Sequence, residues 1–200
     1  MRGRDIKRYS YEFADKWIIA TFPSRNYNID DYPAVKDYLL TLRKEKLEQS
    51  GKKNVYGIKG NNARKKTNNK WFETQDSIGY WEEFNKQKIV YSEIVQSPQF
   101  FLDKRGEFFV EATSFLITGE HLDYLVDWLN SPTIAWVFKQ FYAGGGLGKK
   151  GFRYKKKFLE QLPIPKPRND MKYKNTNNLI KAYLDLTDEE INFISSSVNL

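Results

Sequence analysis

The sequence has no cysteine, one histidine and two methionines in 200 residues. Without thiols there is no disulfide framework and no thiolate metal site, and one imidazole cannot build a histidine-rich one. No apolar run approaches the roughly 20 residues a helix needs to cross a bilayer. Met1-Arg2-Gly3-Arg4-Asp5 offers no apolar stretch for a signal peptide. These absences point to a cytoplasmic protein without structural zinc. No internal repeat is visible.

What the chain has in abundance is aromatic residues, 16% of the total within a hydrophobic fraction of 40%, which suits a folded core and excludes a disordered chain. Its net charge of +8 is unevenly spread. Arg43 to Lys70 holds ten Lys/Arg against two acids, and Lys149 to Lys157 holds six with no acid, so the remainder is net acidic. Two basic segments on an otherwise acidic chain are the footprint of a polyanion-binding protein, or else a pair of solvated lysine-rich loops.

Local patterns give a mixed α/β reading. Trp17-Ile18-Ile19-Ala20-Thr21-Phe22 reads as a strand ended by Pro23, and Pro33 opens a helix through about Glu48 with Val35, Tyr38, Leu39, Leu42 and Leu47 on one stripe. From Gln49 to Asn69 the chain is polar and rich in glycine and asparagine, which predicts a long mobile loop unable to bury itself. Lys88 to Val95 reads as strand, Phe100 to Val110 as two strands around Asp103-Lys104-Arg105-Gly106, and Phe115-Leu116-Ile117 as another. Helices follow over His121 to Asn130 and from the Ser131-Pro132 cap into a glycine-rich loop. Beyond Pro167 a polar linker leads to a C-terminal helical stretch, Leu179 to Ile194, broken near Thr187. Trp17, Trp128 and Trp136 lie in apolar segments and are expected in the core.

The glycine-rich loop carries the most information. Phe138, Phe141 and Tyr142 run into Gly144-Gly145-Gly146-Leu147-Gly148, then Lys149-Lys150-Gly151-Phe152-Arg153-Tyr154-Lys155-Lys156-Lys157, and stop at Leu162-Pro163-Ile164-Pro165. Gly146 to Gly151 matches G-x-G-x-x-G, but it follows a helical segment and enters lysines, where a dinucleotide fold needs a strand before it and a helix after. The phosphate-loop pattern fails as well, because Lys149 is followed by Lys150 and the spacing from Gly144 is one residue short. Glycines that permit close approach, followed by cations, suit contact with a phosphate backbone instead.

Taken with Arg2-Gly3-Arg4-Asp5-Ile6-Lys7-Arg8-Tyr9, with Trp71-Phe72-Glu73-Thr74-Gln75-Asp76 continuing through Trp81 to Lys88-Ile89-Val90-Tyr91, and with Leu129-Asn130-Ser131-Pro132, this loop resembles the TaqI-like C-terminal specificity domain. The resemblance runs from about Arg2 to Pro167. It implies a twisted mixed sheet with flanking helices over 1–167, a recognition domain for double-stranded DNA, and a linker with a C-terminal helical spacer over 168–200. It further implies a fragment of a larger restriction-modification enzyme or a separate specificity subunit. The methyltransferase and nuclease parts, with their S-adenosylmethionine and magnesium, would belong to a partner. The Asn-Pro-Pro-Tyr or Asp-Pro-Pro-Tyr sequence of such methyltransferases is missing here.

Within that reading, Asn61, Asn62 and Arg64 are the candidate base contacts, since amides can read adenine and guanidinium is bidentate. Lys65, Lys66 and Lys70, with Gly146, Lys149, Lys150, Lys155 and Lys156, are candidates for the phosphate backbone, and Arg153 for a forked contact to phosphate or guanine. For Arg153 the alternative is that Phe152 and Tyr154 anchor the loop while the guanidinium is simply solvated. Trp71, Tyr80 and Trp81 could stack on bases or belong to the core. Two rival functions remain: a small metal-dependent nuclease using Asp76, Glu82, Glu83 and Lys86, and an RNA-binding module working through aromatic stacking. His121 has no sequence neighbour that would make it catalytic.

Overall fold

The structure, a computed structural model, describes residues 1–143, 151–167 and 176–198. It divides into two compact units, one formed by Met1–Lys16 with Glu82–Leu200, the other by the inserted stretch Trp17–Trp81. No helix among the described residues is long and apolar enough to cross a membrane.

The chain opens with a tight turn that brings β1 (Ile6–Lys7) against β2 (Ser10–Tyr11), Ile6 opposite Tyr11. The inserted unit follows. Its helices are α1 (Pro33–Thr41) and α2 (Lys44–Leu47), where the sequence predicts one helix to Glu48. Arg43, at φ 68°, breaks it, because left-handed backbone cannot continue a right-handed helix. The strand expected at Trp17–Phe22 is also not formed. Phe22 is buried and Thr21 is tied to the Phe72–Thr74 backbone, whereas Trp17 is 85% exposed and does not belong to the core as expected. An apolar run without a partner strand has nothing to complete its backbone hydrogen bonds as a sheet.

Returning to the first unit, the chain enters β3 (Lys88–Ser92), β4 (Ile94–Val95), β5 (Phe100–Asp103) and β6 (Ser114–Ile117). All five β3 residues are buried, as its position in the order β5-β3-β6 requires. Phe108-Phe109-Val110, read from the sequence as a strand, is irregular. There Gly106 turns the chain at φ 69°, so close to Asn85 that an added Cβ would stand 2.3 Å from its carbonyl oxygen, and the Asp103 carboxylate accepts from the Glu107 and Phe108 amides in place of a strand partner.

α3 (Leu122–Leu129) packs Leu122, Val126 and Leu129 into the core. α4 (Pro132–Val137) starts where expected, with the Ser131 hydroxyl accepting from the Ile134 amide, and its final turn widens until the Ala143 amide donates to the Phe138 carbonyl. Past Gly151 the chain pairs β7 (Phe152–Arg153) with β4, forms the single turn α5 (Lys156–Leu159), and ends in α6 (Thr176–Leu184) and α7 (Asp188–Ser197). Thr187 caps α7 as the predicted break demands. Tyr91, Phe100, Phe138, Phe152 and Tyr154 join Ile89 and the α3 residues in the main core, while Ile180 of α6 packs with the fully buried Trp128. Every pairing among the described strands is antiparallel, and the class is mixed α/β.

Candidate nucleic-acid interface

The segment predicted to be a loop unable to bury itself is a hydrogen-bonded hairpin. Between Gln49 and Thr67 the Gly51 amide donates to the Arg64 carbonyl at 2.9 Å, Ala63 to Lys52 at 2.9 Å, Val55 to Asn61 at 2.7 Å and Thr67 to Gln49 at 3.0 Å. No apolar stripe announces this pairing. Two polar side chains hold its base instead. Arg64 donates from Nε to the Leu47 carbonyl at 2.6 Å, from Nη1 to the Glu73 carbonyl at 2.8 Å, and from Nη2 to the Trp71 carbonyl. Buried Gln49 donates to the Glu73 carbonyl at 2.9 Å and accepts from the Thr67 hydroxyl at 2.6 Å. Partial burial lowers the Arg64 pKa, yet three carbonyl acceptors suit a charged guanidinium.

This geometry gives the sequence-predicted residues distinct places. Lys65 and Lys66 are exposed on one arm of the hairpin, Lys52 and Lys53 on the other, and Lys59 at the tip. From Gln49 to Thr67 there are six Lys/Arg and no acid. Lys70 is partly engaged, its ammonium 3.2 Å from the Tyr27 carbonyl and its amide bonded to the buried Glu73 carboxylate. Asn61 donates its amide nitrogen to the Val55 carbonyl, and the Asn62 side-chain oxygen accepts from the Asn54 amide. Bidentate reading of adenine uses both halves of an amide. Each of these asparagines has one half committed within the free hairpin, as has Arg64 with its three carbonyls.

The second basic segment is anchored from below. Phe152 and Tyr154 are buried on either side of Arg153 in sequence, and burial pushes the Tyr154 hydroxyl pKa far up. Arg153 is half-buried, and its Nε is buried without a hydrogen-bond partner among the described residues. It is thus not simply solvated. Lys155, Lys156 and Lys157 are exposed, Lys156 lying 3.6 Å from Glu160 and Lys157 over the Phe158 ring. Gly146, Lys149 and Lys150 lie outside the described residues.

The residues of the rival readings are placed as follows. Glu83 pairs with Lys86 at 2.5 Å, and that hydrogen bond lowers the Glu83 pKa. Among the described residues no group of three or more His, Cys, Asp or Glu could hold a metal ion. His121 is exposed at φ 55° at the start of α3. Trp71 is half-buried with the Lys44 ammonium over its ring, and Trp81 packs edge-on to Phe22 with the Arg25 guanidinium over it. Tyr80 is exposed.

A rigidly based hairpin whose only charges are positive is suited to polyanions, and so, within the other unit, is a tyrosine-anchored basic strand. The chain belongs to the family of the TaqI-like C-terminal specificity domain, whose model matches residues 1–164. That family suggests DNA target recognition in restriction-modification enzymes and fits a non-catalytic role. No curated relative matches the chain.

Proposed function

We propose that this chain recognises a double-stranded DNA target on behalf of a restriction-modification enzyme and performs no chemistry itself. Methylation or cleavage, with S-adenosylmethionine and magnesium, falls to a catalytic domain or subunit with which it works in the cytoplasm. The observation that carries this reading is the acid-free hairpin of a specificity-family chain, which presents five exposed lysines on a frame fixed by Arg64 and Gln49. Lys65, Lys66, Lys155 and Lys156 contact phosphates. Arg153 supplies a forked contact through its two terminal guanidinium nitrogens, and Lys149, Lys150 and Gly146 extend the same backbone contact. Arg64 acts through the hairpin it holds, and Asn61 and Asn62 reach bases at the cost of an internal bond worth about 1 kcal/mol each.

Duplex binding measured across a salt titration tests the assignment. Neutralising two phosphate-contacting lysines in a Lys65→Ala/Lys66→Ala double variant makes the slope of log affinity against log salt shallower by roughly 2. An unchanged slope removes those lysines from the interface. Preference for single-stranded RNA over duplex, or metal-dependent cleavage by the purified chain, overturns the reading altogether.

A further inference from the structure

We infer that Tyr56 and Ile58, at the tip of the hairpin, form an apolar reading head that enters the major groove of duplex DNA and contacts thymine methyl groups. This rests on the function proposed above and names how that site would read sequence. The tip is unlike the rest of the hairpin. Apart from buried Val55, its neighbours are Gly, Asn and Lys, residues that suit a solvated turn, yet Tyr56 and Ile58 are left 47% and 51% exposed. Tyr56 also sits at φ 58°, a backbone conformation that a bulky side chain adopts only under strain. Neither residue belongs to the buried core of the inserted unit, and beyond the Arg43 guanidinium over the Tyr56 ring no core contact accounts for their apolar character.

The tip is also held in place. The Asn54 side-chain oxygen accepts from the Gly60 amide at 2.9 Å, the Asn62 side-chain oxygen accepts from the Asn54 amide at 3.2 Å, and the Arg43 guanidinium lies 5.3 Å from the centre of the Tyr56 ring. An ordered apolar tip can present a fixed shape to a groove, with less ordering to lose on binding. Cations flank it on both arms, Lys52 and Lys53 on one, Lys65 and Lys66 on the other, all exposed, with Lys59 at the turn. A two-stranded ribbon fits a major groove roughly 12 Å wide with its two arms facing the phosphate walls. The groove floor there carries the thymine C5-methyl, the one apolar group among the base edges, while the minor groove shows none. Charge on the arms and apolar surface at the tip therefore match one partner.

The test begins with selection of a binding site from randomised duplexes by the full chain, followed by uracil replacement of each thymine in the selected site. Uracil removes the methyl and keeps the pairing. Loss of one buried methyl weakens wild-type binding at one or two positions by roughly fourfold. The expected result is that I58A or Y56A binds the selected site more weakly than wild type, keeps the wild-type salt slope, and no longer distinguishes uracil from thymine there. Both side chains are exposed, so thermal melts of the variants should match wild type and exclude misfolding. If no duplex is selected, the proposed function falls, and this inference with it. If a site is selected but the variants bind it as wild type does, or uracil penalises wild type and variants equally, only the inference falls. Weaker binding by I58A without any uracil effect points to a minor-groove wedge and also overturns it. So does tip-dependent capture by phosphatidylcholine–phosphatidylserine vesicles in place of duplex.

Discussion

Asp5 shows how much one side chain can decide at the start of this chain. Its carboxylate takes a two-pronged contact from Arg2, Nη2 to Oδ1 at 2.7 Å and Nε to Oδ2 at 2.9 Å, and accepts from the Arg2 amide at 2.8 Å. The Arg2 guanidinium is the main cause of an Asp5 pKa lowered from 3.8 to about 2, against the opposing effect of burial. A depressed folded-state pKa means that ionised Asp5 stabilises the fold fully above about pH 4, and that this contribution fades as the pH falls through about 2. Asp5→Asn should therefore cost about 2 kcal/mol at neutral pH. It should also flatten the stability profile between pH 4 and pH 2 relative to wild type, as read by urea unfolding at each pH. Equal acid slopes for the two proteins would mean that Asp5 is not the group responsible. Gly3 beside it has a local reason too: a Cβ there would stand 2.6 Å from the Ser92 hydroxyl, so any larger residue would force the Ser92 side chain of β3 to give way.

At the scale of elements, the central strand contains a charge that its apolar surroundings would expel if it were alone. Lys88 in β3 is fully buried, its ammonium 2.5 Å from the Asp103 carboxylate of β5 and 2.6 Å from the Phe84 carbonyl. Removing one member of such a pair strands the other, so Lys88→Met should destabilise the first unit by about 3–5 kcal/mol. Exposed Lys104, paired with Asp123 at 3.0 Å, is the control, and Lys104→Met should change stability by less than about 1 kcal/mol. Comparable losses in denaturant unfolding would contradict the assignment. Elements whose signals are local were legible in the sequence: the Ser131-Pro132 start of α4, the Thr187 start of α7, and the β-branched run of β3. The Gln49–Thr67 hairpin was not, because its frame is made by Arg64 and Gln49 reaching backbone carbonyls up to 25 residues away. Nor was the exposure of Trp17, since apolarity says what could be buried and not whether a partner strand exists. Of the candidate site, the location of charge could be read directly. The commitment of Arg64 and of half of each asparagine amide could not, because it depends on contacts made only after folding.

For the molecule as a whole, the two units rest on very different amounts of core. The first has a cluster of eleven buried apolar residues around β3, α3 and β7. The inserted unit buries Phe22, Ile29, Val55, Ala63 and Phe72, while α1 has no fully buried residue. Hydrophobic burial scales with the area removed from water, so the inserted unit should open more readily than the first. Native-state hydrogen exchange should find the hairpin amides of Gly51, Val55 and Ala63 less protected than those of Val90 and Tyr91 in β3. A ligand that binds only the folded form of a unit stabilises that unit, by about 2.7 kcal/mol at a concentration one hundred times its dissociation constant. If the hairpin is the DNA-reading element, saturating duplex should slow exchange at Gly51, Val55 and Ala63 by up to roughly a hundredfold, the same free energy expressed as a ratio. The Val90 and Tyr91 amides, set by the first unit's own core, should change far less. Protection gained in β3 while the hairpin amides exchange as before would place the DNA contact away from the inserted unit, and the basic strand at Arg153 would then have to carry recognition without it.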